Sequence, residues 1–131
     1  MIDMGRQSQA CGELFRHLVK AMTRDGVLVG ESPAYPRAEI TSVNEQDPLD
    51  KGGEVRQVSV TIDSMSSRSL GEAMDISSGN LAAIQAAEDE TEHFRILGVT
   101  ESAANTMEDM TETSAVLYRV INNLTFYLSN K

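Results

Sequence analysis

Two histidines, one cysteine and a few closely spaced carboxylates are the residues of this chain whose types could do chemistry. His93 follows Glu90 at the Glu-x-x-His spacing of carboxylate-bridged metal sites, which join two such motifs to further carboxylates from other helices. A single copy is present, so the spacing alone does not make a metal site. His17 stands one helical turn after Glu13, a spacing that suits a surface pair. Cys11 falls on an apolar stripe and reads as a small buried hydrophobe rather than a nucleophile. Asp47 and Asp50 share a polar loop, where two carboxylates serve turn geometry more often than an ion. There is no Gly-x-Ser-x-Gly, glycine-rich phosphate cradle, Cys-x-x-Cys pair or calcium loop. The sequon Asn123-Leu124-Thr125 lies in an expected strand and carries no meaning there. These residues point away from an enzyme, and no cofactor or metal is expected.

Composition narrows the class further. The 131 residues carry 20 acidic and 11 basic side chains, a net charge of −9. Duplex-binding domains use a basic face to displace counterions from phosphates, and no such cluster exists here. An acidic surface could nonetheless face DNA that slides past without sticking. One cysteine excludes an internal disulfide and suits a reducing cytoplasm. Residues 1–10 lack the apolar core of a signal peptide, and no run approaches the ~20 apolar residues that span a bilayer. A soluble chain with no membrane partner is therefore expected. Hydrophobic residues make up 40% of it, enough for one core, and a chain of this size buries roughly two-thirds of its unfolded surface. One domain covering residues 1–131 follows.

The elements that must position these residues can be read from periodicity. Cys11, Leu14, Phe15, Leu18 and Met22 recur at helical spacing, giving a helix from about Ser8 to Arg24 that Asp25-Gly26 stops. Val27 to Gly30 and the proline-flanked stretch to Pro36 read as extended connection. A first strand follows over Arg37–Asn44, with Ala38, Ile40 and Ser42 on one face. After the polar loop Glu45–Gly53, residues Glu54–Met65 alternate, with Val58, Val60 and Ile62 inward. Ser69-Leu70-Gly71-Glu72 forms a capping box for a second helix ending near Ala87. Its expected buried stripe is Leu70, Ala73, Met74, Ser77, Leu81 and Ile84. Two further strands, His93–Asn105 and Ser114–Leu128, flank an acidic turn at Met107–Thr113. The expectation is an α+β domain of order α-β-β-α-β-β, two helices on one face of a four-stranded antiparallel sheet.

Apolar residues on both faces of the last two strands suggest assembly. Val116, Tyr118, Val120, Leu124, Phe126 and Leu128 would face the helices, yet Leu117, Ile121 and Tyr127 point the other way. Phe94 and Ile96 likewise oppose Leu97 and Val99. A solitary domain would leave that second face wet as a large apolar patch. A last strand of about 15 residues, roughly 50 Å if fully extended, would also outreach its own core. On the first helix Arg16, Lys20 and Arg24 lie at i, i+4 and i+8. This ridge could meet the acidic Glu88–Glu92 segment of a neighbour, or simply be a solvated helix face suited to a C-terminal end.

With these elements in place the sequence resembles the tail terminator, or tail-completion, proteins of long-tailed bacteriophages. The resemblance runs over nearly the whole chain. It lies in the first helix, Pro33-Ala34-Tyr35-Pro36 opening the first strand, and the loop Asp47-Pro48-Leu49-Asp50-Lys51-Gly52-Gly53-Glu54. The passage Thr61-Ile62-Asp63-Ser64-Met65-Ser66-Ser67-Arg68-Ser69-Leu70-Gly71-Glu72-Ala73 from strand into helix, and the long last strand, complete it. The resemblance implies a virion protein, assembled in the host cytoplasm, that forms a hexameric ring on the head-proximal end of the tail tube. Its partners would be further copies of itself, the tube protein and a neck or head-completion protein, while DNA passes without specific binding. Subunit-contact candidates are Arg16, Lys20, Arg24, Leu97, Val99, Leu117, Ile121 and Tyr127. Axial-contact candidates are Asp47, Asp50 and Lys51 in the first hairpin loop and Glu108, Asp109 and Glu112 in the second. Another head–tail connector, or a small dimeric ligand-binding regulatory domain, are the alternatives.

Overall fold

A computed structural model describes residues 4–30, 34–46, 55–110 and 115–131. The order is α1 (Met4–Met22), β1 (Leu28–Val29), β2 (Arg37–Gln46), β3 (Val55–Ser66), α2 (Leu70–Ala86), β4 (Phe94–Met110) and β5 (Val116–Asn130). The strands form one five-stranded sheet in the order β1-β2-β3-β5-β4. All neighbours are antiparallel except β1, which runs parallel to β2. The α+β class and the two helices match the sequence expectation, but the sheet is mixed and has a fifth strand. Two residues are too few to display a period, so β1 left no pattern to read. It is held to β2 by two backbone hydrogen bonds, in which Leu28 and Gly30 donate to the carbonyls of Pro36 and Ala38.

Helix α1 buries Ala10, Leu14, Leu18 and Met22, one residue per turn, against the sheet. It ends at Met22, and Arg24 bridges to Val27 around Asp25-Gly26, where Gly26 takes the left-handed φ of +84° that a tight turn requires. The expected cap of α2 is half right. Ser69 accepts from the Glu72 N–H at 3.0 Å, but the Glu72 carboxylate reaches the Ser66 hydroxyl instead, which in turn accepts from the Ser69 N–H. Helix α2 turns Ala73, Ile76, Ser77 and Asn80 inward, while the expected core residue Met74 is 50% exposed.

Inward positions on the sheet are Ala38, Ile40 and Val43 on β2, Val58, Val60 and Ile62 on β3, and Val120, Leu124, Phe126 and Leu128 on β5. The strands carry three register shifts. One between Ile40 and Ser42 exchanges Ser42 for Val43 on the inner face, against the sequence reading. Two on β4, at Leu97 and Ser102, reset which of its residues face the helices.

Candidate functional site

Beneath α2 the sheet is polar. Ser77 donates to Asn122 Oδ1 at 2.7 Å, and Asn80 donates to the Ser64 hydroxyl at 2.9 Å. Arg24 closes this seam, giving Nη1 to Asn80 Oδ1 (2.8 Å) and the Met22 carbonyl, and Nη2 to the Ile76 carbonyl. Burial lowers the Arg24 pKa from its ordinary value. Arg24 therefore does not continue the basic ridge of α1; it turns inward and ties the α1–β1 turn to α2. A Cβ on Gly79 would lie 2.9 Å from Arg24 Nη2, so the missing side chain gives the guanidinium its berth.

Glu13 faces neither solvent nor His17. Its carboxylate is buried on α1 and accepts from the His93 N–H (2.9 Å), the Thr91 hydroxyl (2.7 Å) and His93 Nδ1 (2.8 Å). Burial alone would raise its pKa, but the backbone N–H, the hydroxyl and the ring together hold it below the usual carboxylate range. Because Glu13 is a satisfied acceptor on both oxygens, the trio fastens the α2–β4 connector to α1 and is not poised to take a proton. Sequence reasoning missed it because Thr91 and His93 lie some eighty residues away. The available signal was a glutamate beside Leu14 on a stripe otherwise apolar.

His93 is thus occupied, and Glu90 pairs with Lys131 at 3.4 Å. Among the described residues no group of three or more His, Cys, Asp or Glu could hold a metal ion. Cys11 packs against the core, and burial followed by the nearby Glu45 carboxylate pushes its thiol up, although the Glu45 backbone opposes this. Glu45 itself pairs with Arg56 at 2.8 Å on the helix-covered face, and that guanidinium lies over the Phe94 ring.

The face away from the helices is less apolar than expected. At one end Arg119 pairs with Asp63, which is 2% exposed, and with Asp109 at 2.6 Å. The Asp63 hydrogen bonds, against the opposing effect of burial and with Asp109 adding to them, raise the Arg119 pKa. Met65 and Leu117 are buried on that side, while Ile121 and Tyr127 are half-buried. Val99 is not on this face. The shift at Leu97 turns it inward opposite Phe126, where it packs on the core. Leu97, at the bulge itself, is 57% exposed.

Arg16 is exposed on α1 and folds along the helix over Gly12. Lys20, one helical turn on, is also exposed and borders a depression shared with His17, Ala87 and Glu88. Glu108 and Asp109 are strand residues, paired with Tyr118 and Leu117, rather than parts of a turn. Asp47, Asp50, Lys51 and Glu112 lie outside the described residues.

Together these features define a small α+β scaffold, two helices laid on one face of a mixed sheet with a long terminal hairpin. No protein-family model and no curated protein matches the chain. Among solved structures it is similar to a chain of the virion of a native gene transfer agent particle, at 15% identity and a TM-score of 0.60. That match covers 90% of this chain and 96% of the other, so the two share a fold over nearly their full lengths.

Proposed function

We propose that this chain is a structural protein of a phage-like virion, and within that class a ring-forming tail terminator or closely related neck protein. The full-length likeness to a chain of a gene transfer agent virion carries this reading. The long β4–β5 hairpin supports it. Residues 101–108 of β4 are exposed on both faces, a surface available to a partner.

The protein would act by geometry rather than chemistry. Copies associate side by side into a closed ring. One rim matches the last ring of the tail tube, the other offers no site for a further tube subunit, and the neck docks there. The acidic balance suits a conduit that DNA crosses without being held. Native mass spectrometry and negative-stain imaging, with and without purified tail tubes, test the reading. Rings, alone or at one end of each tube, are expected. A compact dimer at every concentration with no tube-end binding overturns it in favour of a dimeric binding domain.

A further inference from the structure

The sheet has two open edges. At one end β1 covers β2 only at Arg37 and Ala38, so among the described residues no strand pairs that side of β2 from Glu39 to Gln46. At the other end β4 is paired along one side only. An open edge presents unpaired N–H and C=O groups, which solitary domains guard with lysine, proline or a bulge. The shifts at Leu97 and Ser102 guard the first half of β4 in this way. The regular run that follows, Ala103-Ala104-Asn105-Thr106-Met107, has none of these devices, and each of its residues is exposed. On β2 the shift near Thr41 likewise leaves a regular run, Ser42–Gln46.

The two runs suit each other. Counted through β3 and β5, each antiparallel to its neighbours, β4 points opposite to β2. The β4 of a second copy laid beside β2 therefore continues the antiparallel order, with the helices of both copies on one side. Ser42, Asn44 and Gln46 on β2 and Ala103, Asn105 and Met107 on β4 all stand on the face away from the helices, so the joined edges form an uncharged row there. On the other face α1 packs over β2, and the small Ala104 and Thr106 bring no bulk beneath it. Pairing of β4 with the β4 of a second copy is less favourable. Centred on the run, it sets Glu101 opposite Glu108 or Asp109, and like charges directly opposite destabilise a ladder. The acid of the β2 run, Glu45, is already paired with Arg56.

We infer that the Ala103–Met107 run of β4 pairs antiparallel with the Ser42–Gln46 run of β2 in a second copy of this chain, joining the two sheets into one. The inference rests on the ring reading above and names its contact. Backbone hydrogen bonds hold the junction, as in other strand additions to an open edge. The uncovered side chains of β4 thereby gain neighbours from the second copy. Because the two edges differ, the contact is head-to-tail, and it passes around a ring instead of ending at a dimer.

Cysteine cross-linking tests this on the full chain. Within one chain β2 and β4 are separated by β3 and β5, three spacings of about 4.8 Å, which is beyond the reach of an internal disulfide. In a Cys11→Ser background, Asn105→Cys is combined in turn with Ser42→Cys, Asn44→Cys and Gln46→Cys, which share its face and so cover the registers that keep that face aligned. Each protein is oxidised at concentrations where the Cys11→Ser parent assembles. At least one pair is expected to give a ladder of dimers, trimers and higher species, and each single variant none. Rings in the parent without a ladder from any pair overturn this contact while leaving the ring reading intact. Dimers from any single variant overturn it too, because like edges have then met. A parent that never exceeds a monomer or dimer, on or off tail tubes, overturns both.

Discussion

A single carboxylate on α1, Glu13, accepts three hydrogen bonds from the connector that leads into β4. Its pKa is held down in the folded chain, so the unfolded chain binds a proton more readily than the folded one. The stability it contributes is present above the ordinary carboxylate range near 4.3 and is lost as pH falls through the lower folded value. Glu13→Gln is expected to cost about 1–3 kcal/mol at pH 7 and less at pH 3, measured by urea unfolding at both pH values. An equal loss at the two would show that the charge is not what matters. Gly79 sets a second residue-scale test, since two effects of opposite sign compete there. Alanine would raise helix propensity by about 1 kcal/mol. The same methyl group displaces the Arg24 guanidinium from Asn80 and the Ile76 carbonyl, and hydrogen bonds from charged donors are worth about 1.5–3 kcal/mol each. Gly79→Ala should therefore destabilise the protein, yet become stabilising once Arg24→Ala has removed the clash. Thermal melts of the four-member mutant cycle read this directly.

At the scale of elements, the alternation of apolar residues was legible wherever strands are regular. Val58, Val60 and Ile62, and Val120, Leu124, Phe126 and Leu128, face inward as their spacing implies. Parity failed at bulges. Beyond Leu97 on β4 and between Ile40 and Ser42 on β2, one extra residue inverts each assignment until the next shift, at Ser102 on β4, which moved Val99 and Ser42 to faces opposite those expected. Nothing in the local sequence announces such an insertion, because it is defined by the partner strand. The same limit hid the role of Arg119, whose partners come from β3 and β4. Asp63 is buried on a face that no helix covers, so its charge depends on Arg119. Arg119→Met leaves that carboxylate unpaired and is expected to cost about 3 kcal/mol, whereas Asp109→Ala, at an exposed side chain, should cost no more than about 1 kcal/mol. Denaturant midpoints at constant slope would separate the two, and equal effects would refute an asymmetry that rests on burial.

Considered as a whole, the molecule has a firm half and a thin half. Helices α1 and α2 lie over β2, β3 and β5, whereas the far part of β4 is exposed on both faces and pairs along one edge only. Opening free energy follows burial, so amides of β3 and of β5 from Val120 to Leu128 should exchange slowest, near the global unfolding limit. Those of β4 from Glu101 to Glu108 should exchange by local fraying at far lower free energy. The sequence foretold a hairpin that outreaches its core, because fifteen extended residues cannot all be covered by two helices of this length. It did not foretell which strand would be the edge, since that depends on β5 choosing β3 as its second neighbour. A thin half of this kind is a poor design for a solitary domain and a serviceable one for a subunit whose neighbours complete it. Hydrogen exchange on the free and the assembled chain distinguishes these. The Glu101–Glu108 amides should gain strong protection on ring or tube-end assembly, with the β3 amides unchanged. If they are already as slow as β3 in the free chain, the hairpin is stable by itself, and its exposure gives no argument for a partner.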